Sequence, residues 1–151
     1  MEISAQGLDL IKKSEGFRSQ QYLDVAGYAT IGYGHRVIPP ESFPNGITAQ
    51  QAETILMNDV KQAEQAVSRL VHVPLAQGQF DALVDFCFNV GPVKLATSTL
   101  LKELNDSQYA HAGLQFLRWD YAAGVPNSGL RARRTAELQF WTGGSPASQA
   151  A

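Results

Sequence analysis

The chain is 151 residues long and carries 12 lysines and arginines, 14 aspartates and glutamates, and 44% hydrophobic residues. This length corresponds to about one domain, and the composition is that of a soluble globular protein rather than a disordered chain, a collagen or a coiled coil. The net charge of −2 disfavours nucleic acid as a partner, because nucleic-acid binding normally requires a strongly basic surface.

The first third of the chain predicts a short helix followed by a small β element. Apolar residues at helical spacing indicate a helix from about Gly7 to Ser14, and Gly16 is suited to end it in the left-handed conformation. From Gln20 to Gly34, tyrosine and isoleucine are interleaved with glycine, and Asp24–Gly27 is typical of a turn, so this region predicts a β-hairpin or small sheet. The proline-containing segment Pro39–Gly46 predicts a loop.

A long amphipathic helix follows this loop. Thr48 and Gln51 are spaced as in a capping box, in which two side chains bond the free backbone N–H groups at the start of a helix. The apolar residues behind them recur every three or four positions: Ala52, Ile55, Leu56, Val60, Ala63, Val67 and Leu70. They predict one helix over about residues 48–70, roughly 30 Å in length.

The remainder of the chain predicts helices. The predicted segments are Ala76–Asn89, ended by Gly91–Pro92, then Ser98–Leu104, Gln108–Trp119 and Ser128–Trp141. The predicted fold class is therefore α+β and mostly α. It has a small β lobe at about residues 1–60 and a helical lobe at about residues 70–142, joined by the long helix. A groove between two such lobes is a common position for a ligand site.

Residues 1–142 are predicted to form one domain, and the small, uncharged residues 143–151 a flexible tail. The single cysteine, Cys87, lies in an apolar run and is interpreted as a core residue, because no paired-histidine motif lies near it. The N-terminus lacks the features of a signal peptide, and the apolar runs are far shorter than the roughly 18 residues that span a bilayer. We therefore expect a protein without a membrane anchor that accumulates in the cytoplasm.

Two carboxylates at the junction of the first helix and the β element are candidates for glycosidic hydrolysis. Such a reaction requires one protonated carboxyl group, which gives its proton to the leaving oxygen, and one ionised carboxylate, which aligns water or stabilises positive charge on the sugar. Glu15 at the helix end is suited to the first role and Asp24 in a polar turn to the second. Thr30 on the returning strand can hold a water through its hydroxyl group. Taken alone, two acids at this spacing are more often solvated surface groups than a catalytic pair.

The spacing of these residues is specific: Glu15, eight intervening residues, Asp24, five intervening residues, then the run Thr30–His35. This pattern resembles the signature of phage-type lysozymes, glycoside hydrolase family 24. Later segments are similar to the family and stand in the family's order: Ile47–Thr48, Phe88–Gly91, Ser98–Leu101, Arg118–Trp119 and Gly129–Arg134. The resemblance extends from about Ile3 to Trp141, nearly the whole chain.

The resemblance implies a lysozyme-like fold of two lobes. It also implies a muramidase that hydrolyses the β-1,4 bond between N-acetylmuramic acid and N-acetylglucosamine in peptidoglycan. Carried over by position, Glu15 is the general acid, and Asp24 and Thr30 position the water. Asp24 also offsets charge in the oxocarbenium-like transition state, and this arrangement favours inversion at the sugar carbon. No metal and no cofactor is implied.

The resemblance implies structural or tuning roles for three further residues. His35 corresponds to a histidine that pairs with an acid on the long helix, here Asp59, and a structural pair is favoured over a catalytic base. Arg131 is expected to approach Glu15 as its ion-pair partner. A cation in that position favours the ionised form of a carboxyl group, whereas burial favours the neutral form.

The chain also departs from the family at two positions that hold ion pairs. The family partner of Arg134 stands where this chain has Ser14, so that ion pair is not expected here. Some relatives carry an acid where this chain has Ala26, so a contact to Arg118 is not expected either. A cluster of arginines near residues 131–134 is also compatible with an ordinary solvated face.

Four residues fall at or beside positions that line the family's cleft and are candidates for substrate binding: Arg36, Phe88, Asn89 and Thr99. Aromatic and amide groups in a groove are the expected chemistry of a sugar site. Phe88 is equally compatible with a place in the core, and Arg36 with an exposed charge that has no function. Trp119 and Trp141 lie on helical stripes and are interpreted as core residues.

The leading hypothesis is an endolysin, a phage or prophage enzyme that lyses the host cell. Without an export signal it is expected to remain in the host cytoplasm until a separate holin releases it to the peptidoglycan of the periplasm or cell wall. Peptidoglycan is the expected partner, and the chain is expected to be a monomer.

Other functions stay open at this point. A lytic transglycosylase also uses a glutamate acid but forms a 1,6-anhydro end, and it does not need Asp24 or Thr30, whose presence favours hydrolysis. A catalytically silent wall-binding protein on the same fold would be expected to lack Glu15 or Asp24. A secreted toxin or effector with the same catalysis would be expected to carry a targeting domain.

Overall fold

The computed structural model describes residues 1–143, so the predicted flexible tail lies, apart from Gly143, outside the described residues. Over these residues the chain is mostly α-helical, with two small antiparallel sheets, and the predicted fold class is confirmed. The chain divides into two compact units. We call Ile11–Gln62 the sheet unit, and Met1–Leu10 together with the described residues from Ala63 onwards the helical unit.

The sheet unit contains a three-stranded antiparallel sheet. Helix α1 (Ala5–Glu15) precedes it, and its strands are β1 (Arg18–Leu23), β2 (Ala29–Gly32) and β3 (His35–Arg36), hydrogen-bonded in that order. Thr30 in the central strand faces Tyr22 on one side and Arg36 on the other. The predicted β element is thus present as a sheet of three strands.

Two glycines fix the chain on either side of β1. Gly16, with φ 73°, ends α1 directly after Glu15, and its N–H donates to the carbonyl of Lys12 at 2.9 Å. Gly27, with φ 85°, closes the turn that begins at Asp24, and its N–H donates to the Asp24 carbonyl at 2.9 Å. Glycine adopts positive φ without the steric cost that a Cβ imposes. Each candidate carboxylate therefore belongs to a residue whose neighbouring backbone turn is closed by a glycine.

Helix α2 (Ala49–Leu70) begins at the predicted capping box. The Gln51 N–H donates to Thr48 Oγ1 at 3.1 Å, and the Thr48 N–H donates to Gln51 Oε1 at 2.8 Å. The helix has 22 residues, and its predicted apolar stripe is buried except at Ile55 and Leu70, which are partly buried. Its first turn joins the core of the sheet unit, where Ala52 packs with Ile31 and Ile47.

The helical unit contains five further helices within the described residues. They are α3 (Gln77–Val90), α4 (Pro92–Ala96), α5 (Thr99–Asn105), α6 (Tyr109–Gln115) and α7 (Ser128–Thr142), with one turn of 3-10 helix at Phe116–Arg118. The central element is α3, which is buried over Phe80–Cys87 and packs along α7. The Phe116 ring meets the edges of Phe86 and Trp141, with both centroid distances 5.5 Å.

Three features differ from the prediction. Gly91–Pro92 ends α3 as expected, but Pro92 also begins α4, because the first helical position has no need of the N–H group that proline lacks. The second is a hairpin of two-residue strands, β4 (Tyr121–Ala122) and β5 (Val125–Pro126), which follows the predicted helix Gln108–Trp119. That helix is itself divided into α6 and the 3-10 turn.

The first ten residues belong to the helical unit, whereas the sequence places them in a β lobe at about residues 1–60. The Ile3 N–H donates to the Glu64 carboxylate at 2.6 Å, and the Ser4 N–H donates to Asp81 at 2.9 Å. The Ser4 hydroxyl also donates to Asp81 and accepts from the Gly7 N–H at 3.1 Å, so Ser4 caps α1. These bonds to distant residues explain the difference.

Candidate active site

Glu15, the predicted general acid, is the last residue of α1 and is half-buried. Its carboxyl group lies against Gly34, in the turn between β2 and β3. A Cβ atom at Gly34 would lie 2.5 Å from Glu15 Oε1, closer than non-bonded atoms can approach. Gly34 also has φ 73°, a backbone conformation that favours glycine, and a Cβ there would displace the Glu15 carboxyl group.

Asp24 is held by the backbone of the turn that it begins. Its Oδ1 atom accepts the N–H groups of Ala26 at 2.9 Å and Tyr28 at 2.8 Å. These two hydrogen bonds fix the orientation of the carboxyl group. Over residues 1–143 the second oxygen, Oδ2, has no hydrogen-bond partner, so it remains available as an acceptor.

Thr30 is buried in β2, with 5% of its surface exposed. Its hydroxyl group donates to the Tyr28 carbonyl at 2.8 Å. Because a hydroxyl has one proton, the Thr30 oxygen is left as an acceptor for a further group. Tyr28 thus bonds both Asp24 and Thr30 through its backbone. Sequence reasoning missed this role, and it had no signal to find it, because any residue type supplies the same N–H and C=O groups.

His35 lies between two carboxylates. Its Nδ1 atom is 2.7 Å from Asp59 Oδ2 on α2, and its Nε2 atom is 3.1 Å from both oxygens of Glu41. Sequence reasoning named Asp59 and missed Glu41, which lies only six positions further along the chain in the following loop. An acid that close to a histidine was the available signal.

The pKa values of this cluster follow from burial and pairing. Burial alone would lower the pKa of His35, but the hydrogen bonds and charges of Asp59 and Glu41 outweigh it and raise that pKa. Burial raises the pKa of Asp59, and the contact with His35 opposes this without cancelling it. A hydrogen bond from the Ile38 N–H lowers the pKa of Glu41, and His35 adds to that effect despite some burial.

Arg36, a predicted substrate-binding residue, is exposed and stacks on an aromatic ring. Its Cζ atom lies 3.7 Å from the centroid of the Tyr28 ring. This is a close cation–π contact. The sheet unit therefore brings together Glu15, Asp24, Thr30, Arg36 and the His35–Asp59 pair.

The other three predicted substrate-binding residues belong to the helical unit. Phe88 and Asn89 are half-buried near the C-terminal end of α3, and Thr99 is exposed as the first residue of α5. The Asn89 side-chain oxygen accepts a hydrogen bond from Arg134. Their part in substrate binding stays a prediction.

Arg131 has a partner that the sequence did not reveal. Its Nε and Nη2 atoms donate to Asp120 Oδ2 at 3.0 and 2.9 Å. Asp120 is buried, whereas 71% of the Arg131 side chain is exposed. Asp120 follows the 3-10 turn and carries no local pattern that distinguishes it from a surface acid. The expected pairing of Arg131 with Glu15 stays a prediction.

The two neighbouring arginines are buried in a charged cluster of the helical unit. Arg133 donates to both oxygens of Asp85, at 3.0 and 2.9 Å. Arg134 donates through Nη1 to both oxygens of Glu137, each at 2.8 Å. Arg134 therefore does form an ion pair, with an acid three residues along α7 rather than at position 14. Burial raises the pKa of Glu137 well above its ordinary value, and a hydrogen bond with Asp85 adds to the effect.

Cys87 is buried in α3, as predicted, with 2% of its surface exposed. Burial raises the pKa of its thiol to about 11, so the thiol is protonated at neutral pH and is a poor nucleophile. Over residues 1–143, histidine, cysteine and acidic side chains form no group of three or more that could hold a metal ion. None of the helices in that part of the chain combines the length and the apolar character needed to cross a membrane.

Comparison with known proteins gives the family. The model of the family described as phage lysozyme matches residues 12–137. An endolysin of Acyrthosiphon pisum secondary endosymbiont phage 1 is 40% identical over 141 residues, which are 91% of this chain and 95% of the relative. The endolysin of Salmonella phage P22 is 39% identical over 143 residues, 93% of this chain and 98% of the relative.

A solved structure agrees with these sequence matches. The endolysin from Escherichia coli O157:H7 phage FAHEc1 superposes with a TM-score of 0.87 at 35% identity and covers 96% of each chain. The family match covers the last turn of α1 with Glu15, the sheet with Asp24 and Thr30, and the arginines of α7. The chain therefore belongs to the phage lysozyme family and is a glycoside hydrolase.

Proposed function

We propose that this chain is a muramidase that hydrolyses the β-1,4 bond between N-acetylmuramic acid and N-acetylglucosamine, with inversion at the sugar carbon. Glu15 is the general acid, and Asp24 and Thr30 position the attacking water. The observation that carries the proposal is that Asp24 and Thr30 are fixed by one residue, Tyr28, in the same compact unit as Glu15.

The acid role of Glu15 is supported by the place of its carboxyl group in the sheet unit. The carboxyl group is half-buried and rests on Gly34, where no side chain intervenes. In the reaction it gives its proton to the glycosidic oxygen. The bond from that oxygen to the sugar carbon breaks, and the bonding electron pair stays with the leaving sugar.

The water-positioning role is supported by two oxygen atoms, one on Thr30 and one on Asp24, that can each still accept a hydrogen bond. The Thr30 hydroxyl proton is used on the Tyr28 carbonyl, so its oxygen accepts one hydrogen of a water molecule. Asp24 keeps Oδ2 to accept the other. The water then directs a lone pair at the sugar carbon, and Asp24 takes the proton that the water loses as the new bond forms.

The helical unit is proposed to supply contacts to the glycan. Phe88 offers an aromatic surface, and Asn89 and Thr99 offer polar groups. Arg131 is proposed to tune the charge of Glu15. The reaction uses no metal and no cofactor.

The biological setting is proposed from the same family. Endolysins act on the bacterial cell wall, so we propose that this chain degrades host peptidoglycan as a monomer in phage or prophage lysis. Until then it would stay in the host cytoplasm, and a holin would release it.

The test is a wall-clearing assay of the wild type against Glu15→Gln, with folding checked by circular dichroism. Loss of a general acid lowers the rate by roughly 10²–10⁴-fold. The matched control is Glu53→Gln, the same chemical change at an exposed glutamate of α2. The control should clear walls normally. A folded Glu15→Gln variant with wild-type activity would overturn the proposal.

Product analysis separates the proposal from transglycosylation. A muramidase releases a reducing N-acetylmuramic acid end, and one that inverts gives first the anomer opposite to the bond cleaved. A 1,6-anhydro end would instead show a lytic transglycosylase, and the absence of any glycan cleavage would indicate a wall-binding protein.

A further inference from the structure

The contact of Arg36 with Tyr28 has a chemical consequence. A guanidinium group stacked on an aromatic ring has one face covered and its orientation fixed, while its N–H groups point outward along its edges. Over residues 1–143, Arg36 forms no ion pair and its side chain donates no hydrogen bond to the protein. These donors are therefore held in a defined direction and available to a ligand.

The position of Arg36 links it to the proposed catalytic residues. Arg36 faces Thr30 directly across the β2–β3 ladder. Side chains of directly opposed residues lie on the same face of an antiparallel sheet, with Cβ atoms roughly 4.5–5.5 Å apart. Tyr28, which carries the stacked guanidinium, is also the residue that bonds Asp24 and Thr30. The charge of Arg36 is thus anchored beside the proposed water site.

This stack is suited to charge recognition rather than to sugar stacking. The guanidinium covers a face of Tyr28 on which a sugar ring would otherwise pack. The edge of an arginine side chain matches a planar carboxylate through two parallel hydrogen bonds. The chain has a net charge of −2, so its overall charge does not attract an anion, and a local cation must do so.

We infer that Arg36 is a specificity-determining residue that binds a carboxylate of the peptidoglycan chain, and that Tyr28 is the positioning residue that orients it. The inference rests on the proposed function. Peptidoglycan offers such a group in two places, the lactyl side chain of N-acetylmuramic acid and the peptide attached to it. An uncharged glycan offers neither.

The experiment measures kcat and KM on three soluble glycan preparations. The first carries its peptides, the second has been stripped of peptides so that the lactyl carboxylates are free, and the third has all carboxyl groups converted to methylamides. We expect the wild-type KM to be roughly tenfold or more higher on the methylamide preparation, with little change in kcat. The preparation with the lower KM among the first two identifies the source of the carboxylate.

The variants test the residues. Arg36→Gln should raise KM on the charged preparations to the value for the neutral one, and Arg36→Lys should be intermediate because it keeps the charge and loses the two-bonded geometry. Tyr28→Leu should raise KM in the same way, whereas Tyr28→Phe keeps the ring and should behave as wild type. Lys61→Gln, the same charge change at an exposed position of α2, is the control and should have no effect.

The outcomes distinguish this inference from the proposed function. If Arg36→Gln has the KM of Lys61→Gln, or still distinguishes charged from neutral glycan, the inference is overturned while the muramidase proposal stands. If the wild type releases no reducing ends from any preparation, or Glu15→Gln is fully active, the proposed function itself fails.

Discussion

His35 Nδ1 lies 2.7 Å from Asp59 Oδ2, and the other ring nitrogen, Nε2, contacts the Glu41 carboxylate. This histidine therefore connects β3, α2 and the loop between them. We expect His35→Asn to destabilise the protein by about 1–3 kcal/mol, because it leaves the half-buried Asp59 without a cation, and to lower turnover much less.

Urea denaturation and wall clearing measure the two effects separately. His111→Asn, the same change at an exposed residue of α6, is the control and should alter neither. A loss of turnover with unchanged stability in His35→Asn would show that His35 takes part in the chemistry.

The stability that His35 contributes should depend on pH. Its pKa is raised in the folded protein above the ordinary value of 6.5, so the folded state holds its proton more tightly than the unfolded state. The contribution is therefore complete below pH 6.5 and is lost as pH rises through the folded pKa. The free energy of unfolding of the wild type minus that of His35→Asn should shrink over this alkaline limb. A difference that grows with pH would contradict the raised pKa.

Gly34 should be essential for activity for a reason other than backbone strain. In Gly34→Ala, the new Cβ would lie 2.5 Å from Glu15 Oε1 and force the carboxyl group to move. We expect a loss of about 1–2 kcal/mol of stability from the positive φ and about a hundredfold loss of kcat from the displaced acid. Gly124→Ala is the matched control, because Gly124 has φ +78° and open space around it.

Gly124→Ala should lose similar stability and keep its kcat. Equal activity of the two variants would mean that Glu15 does not act from its position over Gly34.

The buried charged cluster of α3 and α7 should tolerate loss of the Glu137 charge better than loss of the Arg134 charge. The pKa of Glu137 is raised by burial and by Asp85, so the neutral form is less unfavourable there than in water, and Glu137→Gln should cost only about 1–2 kcal/mol. Arg134→Met leaves the buried Glu137 without its cation, although Asp85 keeps Arg133, and should cost about 3–5 kcal/mol. Arg69→Met, an exposed change on α2, is the control for the substitution itself.

Chemical denaturation measures all three variants. If Glu137→Gln is as damaging as Arg134→Met, Glu137 is held as an anion.

The sequence predicted those elements whose signal is long or chemically specific. The stripe of α2 repeats over several turns and begins at two residues that cap each other, so its bounds were predicted within a residue. The hairpin of β4 and β5 has strands of two residues, which are too short to show an alternating pattern. The family spacing named Glu15, Asp24 and Thr30, whose chemical roles stay predictions.

The partners of charged side chains were the hardest part of the site to predict. Glu137 lies on a helix with no strong apolar stripe, so its sequence context predicts an exposed acid. In the structure it is fully buried against Arg134. Asp120 and Glu41 are also placed by the fold rather than by a motif. Asp59 could be named only because the family resemblance supplied a pairing between distant positions.

The bonds from Ile3 and Ser4 to Glu64 and Asp81 set an order for folding during synthesis. These first residues leave the ribosome before any of the helices on which they dock, and they must wait until most of the chain has been made. The sheet unit, by contrast, is continuous in sequence and is synthesised as one block. Contacts between the first residues and α3 close a long loop of chain, which costs more conformational entropy than the shorter loops closed within the sheet unit. The nascent chain should therefore form its sheet before its N-terminus docks on α2 and α3.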